Sequence, residues 1–167
     1  MSGGGVQGVN ILRSCPSSVK SYVKFCNQSK KNVSIEWIDN HGHHKCFCHE
    51  LKPEKCFSVV TFVGHPWIAY ESHFRHQMVF NQNRKLIYFP AASPEDSESP
   101  VQIVANVLTP LHSLTDLCLQ VVHMTLLSRS AIGSLQLPML LEKKLQNLFE
   151  NQENKDIPIR LTAESQL

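Results

Sequence analysis

The hydrophobic period of this chain changes once, at Thr109-Pro110, and that change limits the folds open to it. Before Pro110 apolar residues alternate with polar ones, as in strands with one buried face. After it they recur at helical spacing. Proline itself ends a strand, because it has no N–H to give the ladder. The chain therefore reads as a β region followed by an α region, with 167 residues and 42% hydrophobic content to build both cores.

In the β region Val23 and Phe25 alternate with Lys24, and 27–32 turns the chain. Val33, Ile35 and Trp37 then face one way while Ser34 and Glu36 face the other. Asp39-Asn40-His41-Gly42 is turn chemistry. Strands follow at Lys45–Leu51, Cys56–Val63, Trp67–Tyr70, Met78–Phe80, Leu86–Phe89 and Val101–Leu108. About seven short strands at roughly 8–12-residue spacing indicate an antiparallel β-sandwich over 18–109. Residues 1–17, with three consecutive glycines and Cys15-Pro16-Ser17-Ser18, read as a flexible N-terminal arm whose most structured part is 12–14. The 90–100 stretch is acidic and poor in apolar residues, the composition of a disordered loop.

The α region, 110–151, reads as a small domain of about three helices. Ser113 is placed to cap the first, with Asp116 three residues on suiting the positive end of the helix dipole. Leu114, Leu117, Cys118, Val121 and Val122 make one stripe, and Leu119, Leu126 and Leu127 lie off it. Such a helix needs cover on more than one face. The chain after it is short and largely polar, enough for one face, so the other asks for a partner protein. Residues 128–134 connect. Pro138 sits where a helix's first turn tolerates proline, and Leu137, Leu141, Leu145, Leu148 and Phe149 continue as a one-sided stripe. The segment 152–167 is polar around Ile157-Pro158-Ile159 and is free to pack back on the β domain.

The net charge of +2 and the lack of a basic stripe argue against nucleic acid. No run reaches the roughly 18 apolar residues of a membrane span, and the first residues lack the apolar core of a signal peptide. The six cysteines (15, 26, 46, 48, 56, 118) therefore read as thiols in a reducing compartment.

Three stretches carry a family resemblance: Phe25-Cys26-Asn27-Gln28-Ser29 with Trp37; Gly64-His65-x-Trp67 with Asn81-Gln82; and Cys118-Leu119-Gln120-Val121-Val122. Together they resemble the von Hippel–Lindau tumour suppressor family, substrate receptors of elongin–cullin ubiquitin ligases. Ser113-Leu114-x-x-x-Cys118-x-x-x-Val122 fits that family's elongin-binding box, with Leu117 and Val121 on the same helix. Leu137-Pro138-x-x-Leu141 fits its cullin-selecting box. The resemblance implies a non-catalytic receptor without a cofactor, in cytoplasm and nucleus. Its partners would be elongin C, elongin B and a cullin with its RING subunit. Its ligand would be a hypoxia-inducible factor α peptide carrying 4-hydroxyproline.

A hydroxyproline site needs flat apolar walls and polar partners for one hydroxyl. Trp37, Phe62 and Trp67 can be walls, and Thr61 and His65 can be brought to one hydroxyl by a bend at Gly64. Thr61 stands where the family commonly has serine. The family also places a tyrosine between Trp37 and the Leu51-x-Pro53 turn. Here Phe47 or Cys48 falls in that place, and Phe47 with a small bulge is preferred; it keeps the ring and loses the hydroxyl. Arg13 and Ser14 match the family, whereas Pro16 and Ser18 replace polar residues that would contact substrate. On residue type alone, Trp37, Trp67, Leu137 and Leu141 are also ordinary core residues. A separate reading from another class is zinc. His41, His43, His44, Cys46, Cys48, His49 and Cys56 lie within one short stretch, with Cys46 and Cys48 expected on one strand face.

Overall fold

The computed structural model describes residues 11–92 and 101–153. The expected residues 1–10, 93–100 and 154–167 of the arm, the acidic loop and the C-terminal segment lie outside these. Seven strands come first: β1 (Lys20–Asn27), β2 (Val33–Ile38), β3 (His44–Leu51), β4 (Cys56–Phe62), β5 (Trp67–Glu71), β6 (Val79–Phe80) and β7 (Gln102–Leu108). They form a four-stranded sheet ordered β4-β1-β7-β6 and a three-stranded sheet ordered β3-β2-β5. Two helices follow, α1 (Leu114–Thr125) and α2 (Met139–Glu153), with a 3-10 helix over Arg129–Leu135 between them. The architecture is the expected β-sandwich with a small helical region. It departs in one pair: β7 runs parallel to β1. The expected strand at Leu86–Phe89 contributes only a single bridge, Tyr88 to Trp67, and Lys85 just before it bridges Phe80.

Alternation along β1 and β2 aims Val23, Phe25, Val33 and Ile35 between the sheets, where Trp67, Met78, Phe80, Tyr88, Ala105 and Val107 complete the core. The end of β1 is fastened by Asn27. Its amide donates to Lys31 O at 2.7 Å and Leu51 O at 2.8 Å, and its carbonyl oxygen accepts from the Ser29 N–H at 2.9 Å. Beside it Cys26 and Cys56 face each other in the β1–β4 register and form a disulfide. The reading of six thiols is corrected for this pair. Partners 30 residues apart meet only once the strands pair.

Residues 11–17, read as part of a flexible arm, lie on the sandwich instead. Leu12 is buried with Ile38, Ile68 and Tyr70. Ser14 N–H donates to Asp39 O at 3.1 Å, and Ser14 Oγ donates to Ile38 O at 2.5 Å. The outer face of β2 is covered by the segment after β5. Arg75 forks onto the Glu36 carboxylate, with Nη2 at 3.1 Å from Oε2, and stands 4.1 Å over the Tyr70 ring. His44 Nδ1 also reaches Glu36 Oε2, at 3.1 Å. Burial pushes the Glu36 carboxyl up, but the bonds from His44 and Arg75 and the guanidinium charge outweigh it and hold the pKa at about 2.

The joint between sandwich and helices is an imidazole pair. His76 Nε2 lies 3.3 Å from His123 Nδ1, and His123 Nε2 lies 3.1 Å from Gln152 Oε1. The amide oxygen can only accept, so His123 carries its proton on Nε2 and accepts at Nδ1 from His76. Phe74 and Phe149 close on the pair, with ring centroids 5.8 and 4.5 Å from His123. Burial, aided by the nearby Lys31 charge, pushes His76 down to about 4, and burial lowers His123 as well.

Arg75→Ala strands the Glu36 carboxylate and should cost roughly 3–5 kcal/mol, lowering Tm by on the order of 10 °C in a thermal melt. Arg129→Ala, which removes a half-exposed ion pair with Glu150, should cost less than about 1 kcal/mol. In acid, an unfolded His76 takes up a proton below its ordinary pKa of 6.5, while the folded one resists down to about 4. Stability is thus complete above about pH 6.5 and falls toward pH 4, by on the order of 2–3 kcal/mol. His76→Gln should flatten that limb of a pH series of denaturant melts.

Candidate functional site

One end of the sandwich gathers five of the six side chains read as a peptide site in direct ring contact, and the sixth joins them by a hydrogen bond. The β2–β5 register sets Trp37 directly against Trp67. The β2–β3 register puts Ile35 against Cys48 and Glu36 against Cys46, so Phe47 is the extra residue of a bulge. The bulge aims Phe47 at both tryptophans, with ring centroids 6.1 Å from Trp37 and 5.1 Å from Trp67. Phe47 therefore holds the aromatic position. Cys48, one residue further, packs against the core. The same bulge separates Cys46 from Cys48, which were expected on one face.

After β4 the chain turns sharply. His65 N–H donates to Phe62 O at 3.2 Å, and Gly64 takes φ +81°, where a side chain would be strained. A Cβ on Gly64 would also come within 3.2 Å of Cys15 Cβ. The turn drops His65 between two rings. It stacks on Trp37 at 5.3 Å with a 19° interplanar angle and lies 5.2 Å from Phe62. The ring is only 5% exposed, and burial lowers its pKa, against a hydrogen bond that the ring donates to the Cys15 backbone. It is thus a neutral imidazole at neutral pH, able both to donate and to accept.

Trp67 and Thr61 differ from the expectation. Trp67 is 1% exposed and belongs to the core, with Phe25 at 5.2 Å. It is the floor of the site, not a wall. Its Nε1–H donates to Thr61 Oγ1 at 3.0 Å, and Thr61 is itself buried. The threonine's acceptor is therefore engaged and its O–H remains to donate. The arm supplies what the sequence reading missed. Ser14 Oγ accepts from Trp37 Nε1–H at 2.6 Å and so fixes the ring's orientation; Ser17 Oγ stands 3.2 Å from His65 Nε2. A Pro- and Ser-containing run offers no periodicity from which such contacts could be read.

A second surface lies on α1. Ser113 caps the helix as expected, with Asp116 N–H donating to Ser113 Oγ at 3.1 Å. Asp116 also pairs with Lys144 of α2 at 3.2 Å, and the bonds from Ser113 and Lys144 lower its pKa. The covered face is the one off the stripe. Leu119 packs with Ile132, Leu145 and Phe149, and Val122, Leu126, Leu137, Leu141 and Leu148 are partly buried around them. The stripe itself faces outward: Leu114 is 77% and Val121 60% exposed, with Leu117, Cys118 and Met124 also exposed. Val122, assigned to the outer stripe, is half covered by the helical core. Of the three cullin-box residues Pro138 alone is exposed. Leu137 and Leu141 are tied into the core, and the uncovered apolar neighbours are Met139 and Leu140.

The seven candidate zinc ligands do not gather. Cys56 is in the disulfide, His44 is held by Glu36, and Cys48 is turned inward. Cys46 reaches only His49, at 3.3 Å. Burial and the Glu36 charge push the Cys46 thiol up, away from the thiolate a metal needs. Among the described residues no cluster of three or more metal-binding side chains is present. No described helix is long and apolar enough to cross a membrane.

A sandwich with an aromatic-walled site at one end, continued by a helix whose apolar face the described residues leave bare, has the build of a two-ended binding protein. Its sandwich matches the family model for the VHL beta domain over residues 12–95, half of the chain, and the chain belongs to the VHL family. Membership brings with it substrate recognition in the context of a ubiquitin ligase.

Proposed function

We propose that this chain is the substrate-recognition subunit of a cullin-RING ubiquitin ligase, and that its ligand is a 4-hydroxyproline-bearing peptide of a hypoxia-inducible factor α subunit. The observation that carries the reading is the packing of Trp37 and Phe62 against a buried neutral His65, with Phe47 on the edge of Trp37. Flat rings suit the pyrrolidine, and His65 with the Thr61 O–H suits one hydroxyl. An unmodified proline entering so dry a site leaves the Thr61 O–H without a partner, and an unpaired polar group is how binding sites reject a deoxy analogue. Phe47 lacks a hydroxyl for the peptide backbone, so the ring itself must supply most of the recognition.

The assembly half rests on α1. Leu114, Leu117, Cys118 and Val121 offer elongin C a continuous apolar face, with Ser113 setting where the helix starts and Val122 joining that face to the helical core. Elongin B follows elongin C. The cullin with its RING subunit would meet the start of α2 around Pro138, with Leu137 and Leu141 holding that turn from inside. The receptor does no chemistry; it raises the effective concentration of substrate at a ubiquitin-conjugating enzyme.

A second reading, an elongin-binding adaptor for an unmodified peptide, is favoured by one observation: the Thr61 oxygen and His65 Nε2 both have internal partners already. Paired binding measurements separate the two. Titration calorimetry with a hydroxylated peptide and its proline twin should show at least about 100-fold discrimination for the first reading. Equal affinities favour the second. For assembly, co-expression with elongins B and C should yield a stable complex with a higher Tm than the chain alone, by mass action. Leu114→Ala should weaken it about tenfold and Cys118→Arg should abolish it. Complexes indifferent to both substitutions would rule this interface out.

A further inference from the structure

The arm is pinned at both ends of the site and exposed between. Upstream, Leu12 is buried, Ser14 is bonded to Asp39 and Trp37, and Cys15 N–H donates to Gly64 O at 3.3 Å. Downstream, Val63 N–H donates to Val19 O at 2.9 Å. Between these points Pro16 has no N–H to offer, and Pro16, Ser17 and Ser18 are exposed. The hydroxyl of Ser17 nevertheless reaches inward to His65 Nε2 at 3.2 Å. Trp37 covers one face of that imidazole, and Phe62 lies against it as well. The route to the ring thus passes the arm.

We propose that Ser17 is a specificity-determining residue whose hydroxyl stands in, on His65 Nε2, for the hydroxyl of the ligand. This rests on the hydroxyproline reading above. A hydroxylated ring entering the site exchanges one hydrogen bond for another, because it must displace Ser17 to reach His65. An unmodified ring has no hydroxyl to place there, so Ser17 keeps its bond and His65 stays satisfied. Ser17 therefore taxes the hydroxylated ligand and spares the unmodified one, and the native receptor discriminates less sharply than its pocket would allow. Ser17 is exposed and carries no buried packing, so it can be changed without disturbing the core.

The test uses the full chain with Ser17→Ala and, as the conservative variant, Ser17→Thr. The probes are a hydroxylated peptide of a hypoxia-inducible factor α subunit and its proline twin. Ser17→Ala should bind the hydroxylated peptide about three- to ten-fold more tightly, the equivalent of one neutral hydrogen bond, with the proline twin unchanged or weaker. Ser17→Thr should behave as the native chain. Acylation of His65 by diethyl pyrocarbonate, mapped by mass spectrometry without ligand, should be several-fold faster in Ser17→Ala while His76 and His123 keep their rates. Unchanged or weaker binding of the hydroxylated peptide by Ser17→Ala, or an unchanged His65 acylation rate, overturns the inference. Equal binding of the two peptides by the native chain removes the hydroxyproline reading itself, and this inference falls with it.

Discussion

Trp67 is the side chain on which the two sheets and the site all depend. It sits on β5, directly opposite Trp37 on β2. Its ring meets Phe25 of β1 across the sandwich and Phe47 of β3 beside it. Its N–H is spent on Thr61 of β4, and its backbone exchanges both hydrogen bonds with Tyr88. A large ring buried this fully contributes apolar area to the core, and its single polar atom demands one partner in one place. That demand orients Thr61, and the ring's edge gives the bulged Phe47 a surface to rest on. The site is thus a continuation of the core, opened only where Trp37, Phe47 and His65 come toward the surface.

The helical half follows from a shortage of cover. α1 has apolar residues around more than one side, while α2 and the 3-10 helix together cover one. Burial of Leu119 against Leu145, Phe149 and Ile132 holds the helices together. The stripe left outside is exposed apolar surface of the kind that marks a docking face. The joint between the halves is built from imidazoles instead of aliphatic side chains, so its strength depends on their staying neutral.

Much of the fold was legible because alternation and helical spacing are local signals. Val33, Ile35 and Trp37 against Ser34 and Glu36 announced β2, and Ser113 with Asp116 announced the start of α1. The bulge at Phe47 was readable from one extra residue between Trp37 and Leu51. The Cys26–Cys56 pair was not, since it depends on which strands become neighbours. Neither was the parallel pairing of β7 with β1, nor the route of residues 12–17 across the site. Leu137 and Leu141 lay on a clean stripe, but a stripe does not say whether its cover comes from the same chain or from another.

The order of elements, the change of period at Pro110, the aromatic and histidine positions and the excess of apolar surface on α1 were determined by the sequence alone. They rest on residue type and spacing. Which tryptophan became floor and which became wall, how Glu36 came to lie under Arg75, and how Ser17 reached His65 were decided only by the tertiary structure. Those outcomes depend on contacts between residues 23 to 48 positions apart, and no local preference encodes the distance between them.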